Sequence, residues 1–335
     1  MTSKIEKQQT NGTGINQENV LKKIGKGLGQ SQAIIFIGLV LLILIFSYLT
    51  PHFLSFTNFM NIVRQTAMIA IVAFGMTYVI IAGEIDLSVG AIIGITGMMS
   101  AIGIQTGLHP LLVIALCLVL GSVIGFINGV MVVKVQVTAF LATLVTMSIL
   151  RGMSLASSPG SAPITINSTL FVDLATMNIG PIPIVLIYLA AILLIGHYTL
   201  NKTVFGRHIY ATGGGAHAAS LAGVNVKRVR VMVFIISGFL SAFSGLILAG
   251  RLSAGLPDSG TGWELDAIAA AVLGGTKFSG GYGTVVGALG GALIIGVLSN
   301  GLTLMGMTYA YQLMIKGAII GLAVILDIWV RREEA

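Results

Sequence analysis

The stretch Gly83-Glu84-Ile85-Asp86-Leu87-Ser88-Val89-Gly90 sets two carboxylates one residue apart between runs, Ala67 to Ala82 and Val89 to Ile104, that are otherwise almost wholly apolar. An ionised carboxylate at the centre of a bilayer costs about 2.5–3.5 kcal/mol on insertion scales, so a Glu-x-Asp pair placed there needs hydrogen-bond donors, a cation or water. The spacing returns at Trp263-Glu264-Leu265-Asp266, displaced by 180 residues. Laying Glu84 on Glu264 brings Asp86 onto Asp266, Ala91 onto Ala271 and Gly94 onto Gly274. Each half of the chain is therefore expected to carry one acidic break in its membrane-embedded part, beside a route for solute.

Composition requires the membrane. Of 335 residues 56% are hydrophobic and 9% charged, more apolar side chains than a water-soluble globule can bury. The net charge of +7 sits in short clusters between apolar runs. The positive-inside rule explains them, and nucleic-acid binding is excluded as a reading. Aromatics at 7% against 44 glycines favour close helix packing over an aromatic-girdled barrel. The single cysteine, Cys117, lies within an apolar run and reads as a packing residue.

Taken in order, residues 1–32 form a polar tail expected to be disordered and cytoplasmic, and Ala33 to Leu49 a first helix retained for want of a cleavage site. Ser55 to Gln65 reads as a short helix lying along the interface. Further spans are expected at Ala67 to Ala82, Val89 to Ile104, Leu111 to Val133, Ala139 to Ala156, Ile182 to Leu200, Val231 to Gly250, Thr284 to Leu304 and Ala310 to Ile328. Trp263 to Leu273 is a half-length element. Gly121, Gly125 and Gly129 form one face at which another helix can approach closely. The expected fold is an all-α integral membrane protein of about ten transmembrane helices with two inverted repeats and short broken helices. It forms a single membrane domain over 33–330, with repeat halves at about 58–156 and 227–328 and a cytoplasmic tail at 331–335.

Orientation follows from Lys134, the Asn201 to Arg230 loop, Lys277 and Arg331-Arg332, which all fall inside when the amino terminus is inside. Both termini are then cytoplasmic. The loops Ser157 to Gly180, which has no Lys or Arg, and Arg251 to Gly262 fall outside. The spans before the two Glu-x-Asp elements cross in opposite directions, which makes the echo an inverted repeat, and Asn128-Gly129 with Asn300-Gly301 supplies a second match.

For Glu84, Asp86, Glu264 and Asp266 two roles stand side by side: acceptors for free N–H groups where a helix starts, or a polar lining able to ligate solute or ions. Arg151 and Lys316 are expected to snorkel or to pair with a carboxylate. Gly213-Gly214-Gly215 lacks the spacing of a phosphate-binding loop, and no such motif occurs in the chain. Five scattered histidines and one cysteine show no metal-ligand spacing, and no nucleophile lies near a base in sequence. No catalytic residue, cofactor or metal is expected. The run Ala216 to Val226, with Leu221 and Val224 beside basic residues, reads as a cytoplasmic helix able to dock in a groove of a soluble partner.

Three blocks together resemble a known family. They are Ile85-Asp86-Leu87-Ser88-Val89-Gly90, then Gly206-Arg207-His208-Ile209-Tyr210-Ala211 with Gly223-Val224-Asn225-Val226, then Gly260-Thr261-Gly262-Trp263-Glu264-Leu265-Asp266-Ala267-Ile268-Ala269-Ala270 with Leu273-Gly274-Gly275-Thr276. The chain, from about Asn58 to Asp327, is similar to the monosaccharide permeases of bacterial ABC importers. Glu84 stands where a Gly is common in that group, and Trp263 where a Tyr is common.

The resemblance implies a permease subunit in the bacterial cytoplasmic (inner) membrane that forms the pathway for a monosaccharide, with ribose favoured. It also implies a cytoplasmic ATP-binding subunit that hydrolyses the ATP, an extracytoplasmic sugar-binding protein and a second permease copy as a homodimer. On its pattern Gly206, Arg207, Ala218, Leu221, Gly223 and Val224 belong to the region that couples to the ATPase. Asn128, Asn300, Tyr311 and Gln312 are the expected wall and gate of the route. The rival reading is a proton-coupled secondary transporter using Glu84 or Asp86.

Overall fold

The computed structural model describes residues 35–319 and 321. The expected tails, and the final span beyond those residues, lie outside the described part. Among the described residues six helices are long and apolar enough to cross a bilayer. They are α2 (Phe56–Ile81), α4 (Pro110–Val133), α5 (Ala139–Ala156), α7 (Ile184–Lys202), α10 (Val226–Leu252) and α12 (Val285–Leu304). Shorter apolar helices are α1 (Ile35–Leu49) and α3 (Val89–Gln105). Helix α11 (Trp263–Leu273) has 11 residues, about 16 Å of rise, roughly half of a 30 Å hydrocarbon core.

Helices α2 and α10 form the centre. From Ala67 to Ala82 every side chain of the α2 run is buried, so this segment is apolar all round because it meets protein on all sides. The expectation of a separate interfacial helix at Ser55 to Gln65 is corrected: those residues are the first turns of α2. Ser55 caps the helix by accepting the Asn58 amide at 3.3 Å, and no Gly or Pro interrupts the ladder at Gln65-Thr66-Ala67. Asn58 is buried; its side chain exchanges hydrogen bonds with Asn300 at 2.9 and 2.8 Å.

The glycine face of α4 lies on α10. A Cβ at Gly121 would overlap the Gly238 carbonyl and Ala242, at Gly125 the Phe234 carbonyl, and at Gly129 Val231, so three missing side chains let the two backbones touch. Helix α12 packs in the same manner on α11, where Gly291 meets the Ala270 carbonyl and Gly287 meets Gly274. Helices α4, α5 and α7 turn exposed apolar faces outward, with Val119 and Phe126, Phe140 and Ile149, and Leu194 and Ile195.

The segments on the side of the α2 start are short. The loop after α5 holds β1 (Ile164–Thr165), α6 (Thr169–Thr176) and the hairpin of β2 (Asn178–Ile179) with β3 (Ile182–Pro183). Strand β1 pairs antiparallel with β4 (Ala254–Gly255), Ile164 opposite Gly255 and Thr165 opposite Ala254. The two loops read from sequence as exterior are thus stitched together. On the opposite side lie α8 (Val204–Gly214) and α9 (Ala216–Leu221).

Candidate functional site

Between α2 and α3 the backbone leaves the helix over Glu84–Asp86. Asp86 is fully buried there. Its Oδ1 accepts from the Ser88 amide at 2.9 Å and from the Ser88 hydroxyl at 2.6 Å, and its Oδ2 accepts from the Ser237 hydroxyl on α10 at 2.8 Å. The chain of bonds continues outward. Asn128 on α4 donates from Nδ2 to Ser88 Oγ at 2.9 Å, and Thr146 on α5 donates to Asn128 Oδ1 at 2.6 Å. Five buried side chains on α4, α5, α10 and the break are therefore joined, and the carboxylate holds its position through donors with no cation of the described residues in contact. Asp86 thus holds Ser88, the residue just before α3, while no side chain of the described residues caps the free amides of α3 itself.

The other three acids behave differently. Glu84 Oε1 lies 2.8 Å from Arg230 Nε at the start of α10. Asp266, in the first turn of α11, accepts from Lys316 Nζ at 2.8 Å with both side chains buried, so Lys316 pairs with a carboxylate, and Asp266 is not a cap. Glu264 Oε1 accepts from the Gly262 amide at 3.3 Å. Arg151 on α5 donates to the Ser259 carbonyl at 2.7 Å, and Tyr309 donates to the Thr261 carbonyl at 2.9 Å. A Cβ at Gly90 would overlap both Glu264 Oε2 and the Gly260 carbonyl. The start of α3 thus abuts the start of α11, with Gly90 set against Glu264.

Residues 58–324 match the family of branched-chain amino acid transport system permease components. The chain belongs to this permease family. Over 309 residues the permease is 44% identical to the ribose import permease of Haemophilus influenzae, covering 91% of this chain and 95% of that one. Against the ribose import permease of Bacillus subtilis it is 44% identical over 329 residues, 97% of this chain and 98% of the relative. Against that of Escherichia coli K12 the identity is 43% over 295 residues, 87% and 92% of the two chains. No solved structure matches the chain.

The remaining sequence-selected residues of the permease fall into two groups. Asn128 and Asn300, expected on the wall of a route, are buried with their amides engaged, so in this conformation neither faces open space. Tyr311 is exposed, and Gln312 is half-buried with its amide donating to Thr303 Oγ1 at 3.2 Å and to the Met307 carbonyl at 3.1 Å. On α8 and α9 the sequence-selected group divides. Arg207, Ala218 and Leu221 are exposed; Gly206 is buried where a Cβ would overlap the Leu200 and Thr199 carbonyls; Gly223 turns the chain at φ 86°; Val224 packs inward.

The glycine triplet acquires a structural reason here. A Cβ at Gly213 would overlap the Ile81 carbonyl, which itself accepts from the Gly281 amide at 2.8 Å, so α8, the end of α2 and the 277–283 turn meet backbone to backbone just before Glu84. Tyr210 closes the same junction, donating to the Gly283 carbonyl at 2.7 Å, and burial pushes its hydroxyl up to about 12, so it remains a donor. Sequence reasoning missed Ser237, Thr146 and Arg230 as partners of the acidic break. Ser237 and Thr146 are hydroxyl side chains inside apolar spans, which carry no local signal of a partner, and Arg230 reads from sequence only as part of a basic cluster.

Proposed function

We propose that this chain is the membrane-spanning permease subunit of an ATP-driven importer that carries a monosaccharide, ribose, into a bacterium through its cytoplasmic (inner) membrane. The observation that carries the reading is the match, at 43–44% identity and over nearly the full length, to three ribose import permeases. In this reading the chain forms the pathway and a separate cytoplasmic ATP-binding subunit hydrolyses ATP, docking on the exposed residues of α8 and α9. An extracytoplasmic sugar-binding protein delivers the sugar to the joined loops 157–180 and 251–262. A second permease copy completes the route as a homodimer. One membrane domain spans 33–330, with both termini cytoplasmic.

The same reading has about ten membrane segments in two inverted repeats, about 58–156 and 227–328. The exchange of partners supports it: α4 and α3 of the first half pack on α10 of the second, while α12 and α11 of the second pack on α2 of the first. Half-length helices that start inside the membrane are tolerated where protein or water satisfies their backbone, and the abutting starts of α3 and α11 supply that protein. We assign Asp86 with Asn128, and Asp266, to fixing these starts, Asn300 to holding the first turn of α2 through Asn58, Glu84 and Glu264 to the immediate border of the route, and Tyr311 and Gln312 to its wall. The proton-coupled alternative gains nothing from Asp86, whose oxygens are sealed among three donors.

Reconstitution tests the proposal. Proteoliposomes holding the permease with its ATP-binding subunit and binding protein should take up ribose only when ATP is supplied on the ATPase side. Uptake by the permease alone, driven by a pH gradient, would overturn it.

A further inference from the structure

A cavity of about 490 Å³ opens beside Glu84, and we propose that it is a release site that holds the monosaccharide through its hydroxyls before it leaves the permease on the cytoplasmic side. The inference rests on the transport reading above and adds to it a place and a set of ligands. The volume lies within the range of roughly 300–1,000 Å³ typical of small-molecule sites. Its wall mixes apolar side chains with Glu84, Gln136, Thr138, Lys227 and Arg230. Other cavities on the surface, such as that between Ser122, Phe126 and Phe239, are lined almost wholly by apolar groups and suit lipid chains instead.

The chemistry fits a neutral polyol. A sugar hydroxyl gives one donor and two acceptor positions, so a site for neighbouring hydroxyls needs a carboxylate facing amide or guanidinium N–H groups. Glu84 and Arg230 offer that pair, their side chains 11% and 32% exposed. Their contact is ionic only: Arg230 Nε–H is buried with no aligned acceptor. Thr138 precedes α5 without capping it, which leaves its hydroxyl uncommitted, and Gln136 is held at φ 62° in the α4–α5 turn, a conformation that non-glycine residues seldom keep without cause. Loop-charge orientation accounts for Lys227 and Arg230, and Glu84, in contact with Arg230, adds the one carboxylate of the cavity wall. The junction of Gly213, Ile81 and Gly281 lies next to Gly83, so a displacement of α8 is delivered to Glu84 through backbone contacts.

Thiol protection in the complete transporter, reconstituted in nanodiscs with its ATP-binding subunit and binding protein, tests the assignment. With Cys117→Ala removing the native thiol, the introduced thiol of Gln136→Cys, and separately of Thr138→Cys, should react with a maleimide several-fold more slowly in millimolar ribose than in equal betaine. Adding Glu84→Gln should abolish that protection, read as the ratio of rates with and without ribose in the same preparation. Equal rates with and without ribose, in a preparation that still imports ribose with ATP, would overturn the release site and leave the transport reading standing. Absence of any ATP-driven ribose uptake in the parent preparation would overturn the transport reading and this site with it.

Discussion

Substituting Asp86 separates the two roles a buried membrane carboxylate can have. Asp86→Ala removes one acceptor from each of two hydroxyls and from the Ser88 amide. The hydroxyls can rotate toward helical carbonyls, and an interhelical hydrogen bond such as that from Ser237 is worth about 0.6 kcal/mol on average inside a bilayer. The Ser88 amide cannot rotate, and leaving it buried without a partner costs about 1–3 kcal/mol. The sum is about 2–4 kcal/mol, or a fall in Tm on the order of 5 °C. Asp86→Asn is different. Its carbonyl still serves both Ser88 donors, and its NH2 meets a Ser237 hydroxyl that can turn to accept, so the loss should stay under about 1 kcal/mol. Thermal unfolding of the purified protein and ATP-driven ribose uptake measured on the same preparations read both quantities. Asn should keep most of the transport and stability that Ala loses. If Asn abolished transport with Tm unchanged, the ionisable group itself would be required and the positional account of Asp86 would fail.

Lys316→Met leaves Asp266 buried beside an apolar chain and should destabilise by about 3–5 kcal/mol, whereas Lys316→Met with Asp266→Leu should recover much of it; equal losses in a double-mutant cycle of unfolding would contradict the pairing. Leu221→Asp changes a side chain that is 78% exposed, so stability should move by no more than about 0.5 kcal/mol, yet ribose-stimulated ATP hydrolysis in the full complex should fall; unchanged hydrolysis would remove α9 from the coupling contact. Gly213→Val forces a side chain into the Ile81 carbonyl and should cost about 1–3 kcal/mol by overpacking and uncouple ATP hydrolysis from uptake, which parallel assays of both would detect. Tyr210→Phe removes a hydrogen bond of about 1 kcal/mol. Because burial raises the Tyr210 hydroxyl from 10.0 to about 12, its contribution is fully present below pH 10 and fades as pH rises toward 12, so the stability gap to the Phe variant should be flat from neutral pH to pH 9 and shrink above 10.

What was legible in the sequence divides by the range of the interaction. Bounds set by local breakers were readable: Ala139 to Ala156 and Trp263 to Leu273 form helices with the expected ends, and the period of Gly121, Gly125 and Gly129 announced a close helix contact. Partners across the fold were not. Asn58, Asn61 and Arg64 have the spacing of a wetted face, and nothing within a few residues of Asn58 reveals Asn300 as its partner, 242 positions away. The four acids looked alike for the same reason. Identical Glu-x-Asp spacing fixes neither the local backbone, non-helical at Glu84–Asp86 and helical at Glu264–Asp266, nor the partner, which is chosen by whichever helix packs there: hydroxyls from the break and α10 for Asp86, a lysine after α12 for Asp266. A shared spacing in sequence therefore leaves both the backbone around each carboxylate and its charge balance to the neighbours. The difference in partners gives Asp266 and Asp86 unequal stakes: removing Lys316 strands a charge beside the first, while every donor to Asp86 among the described residues is neutral, so replacing Asp86 leaves no cation unpaired.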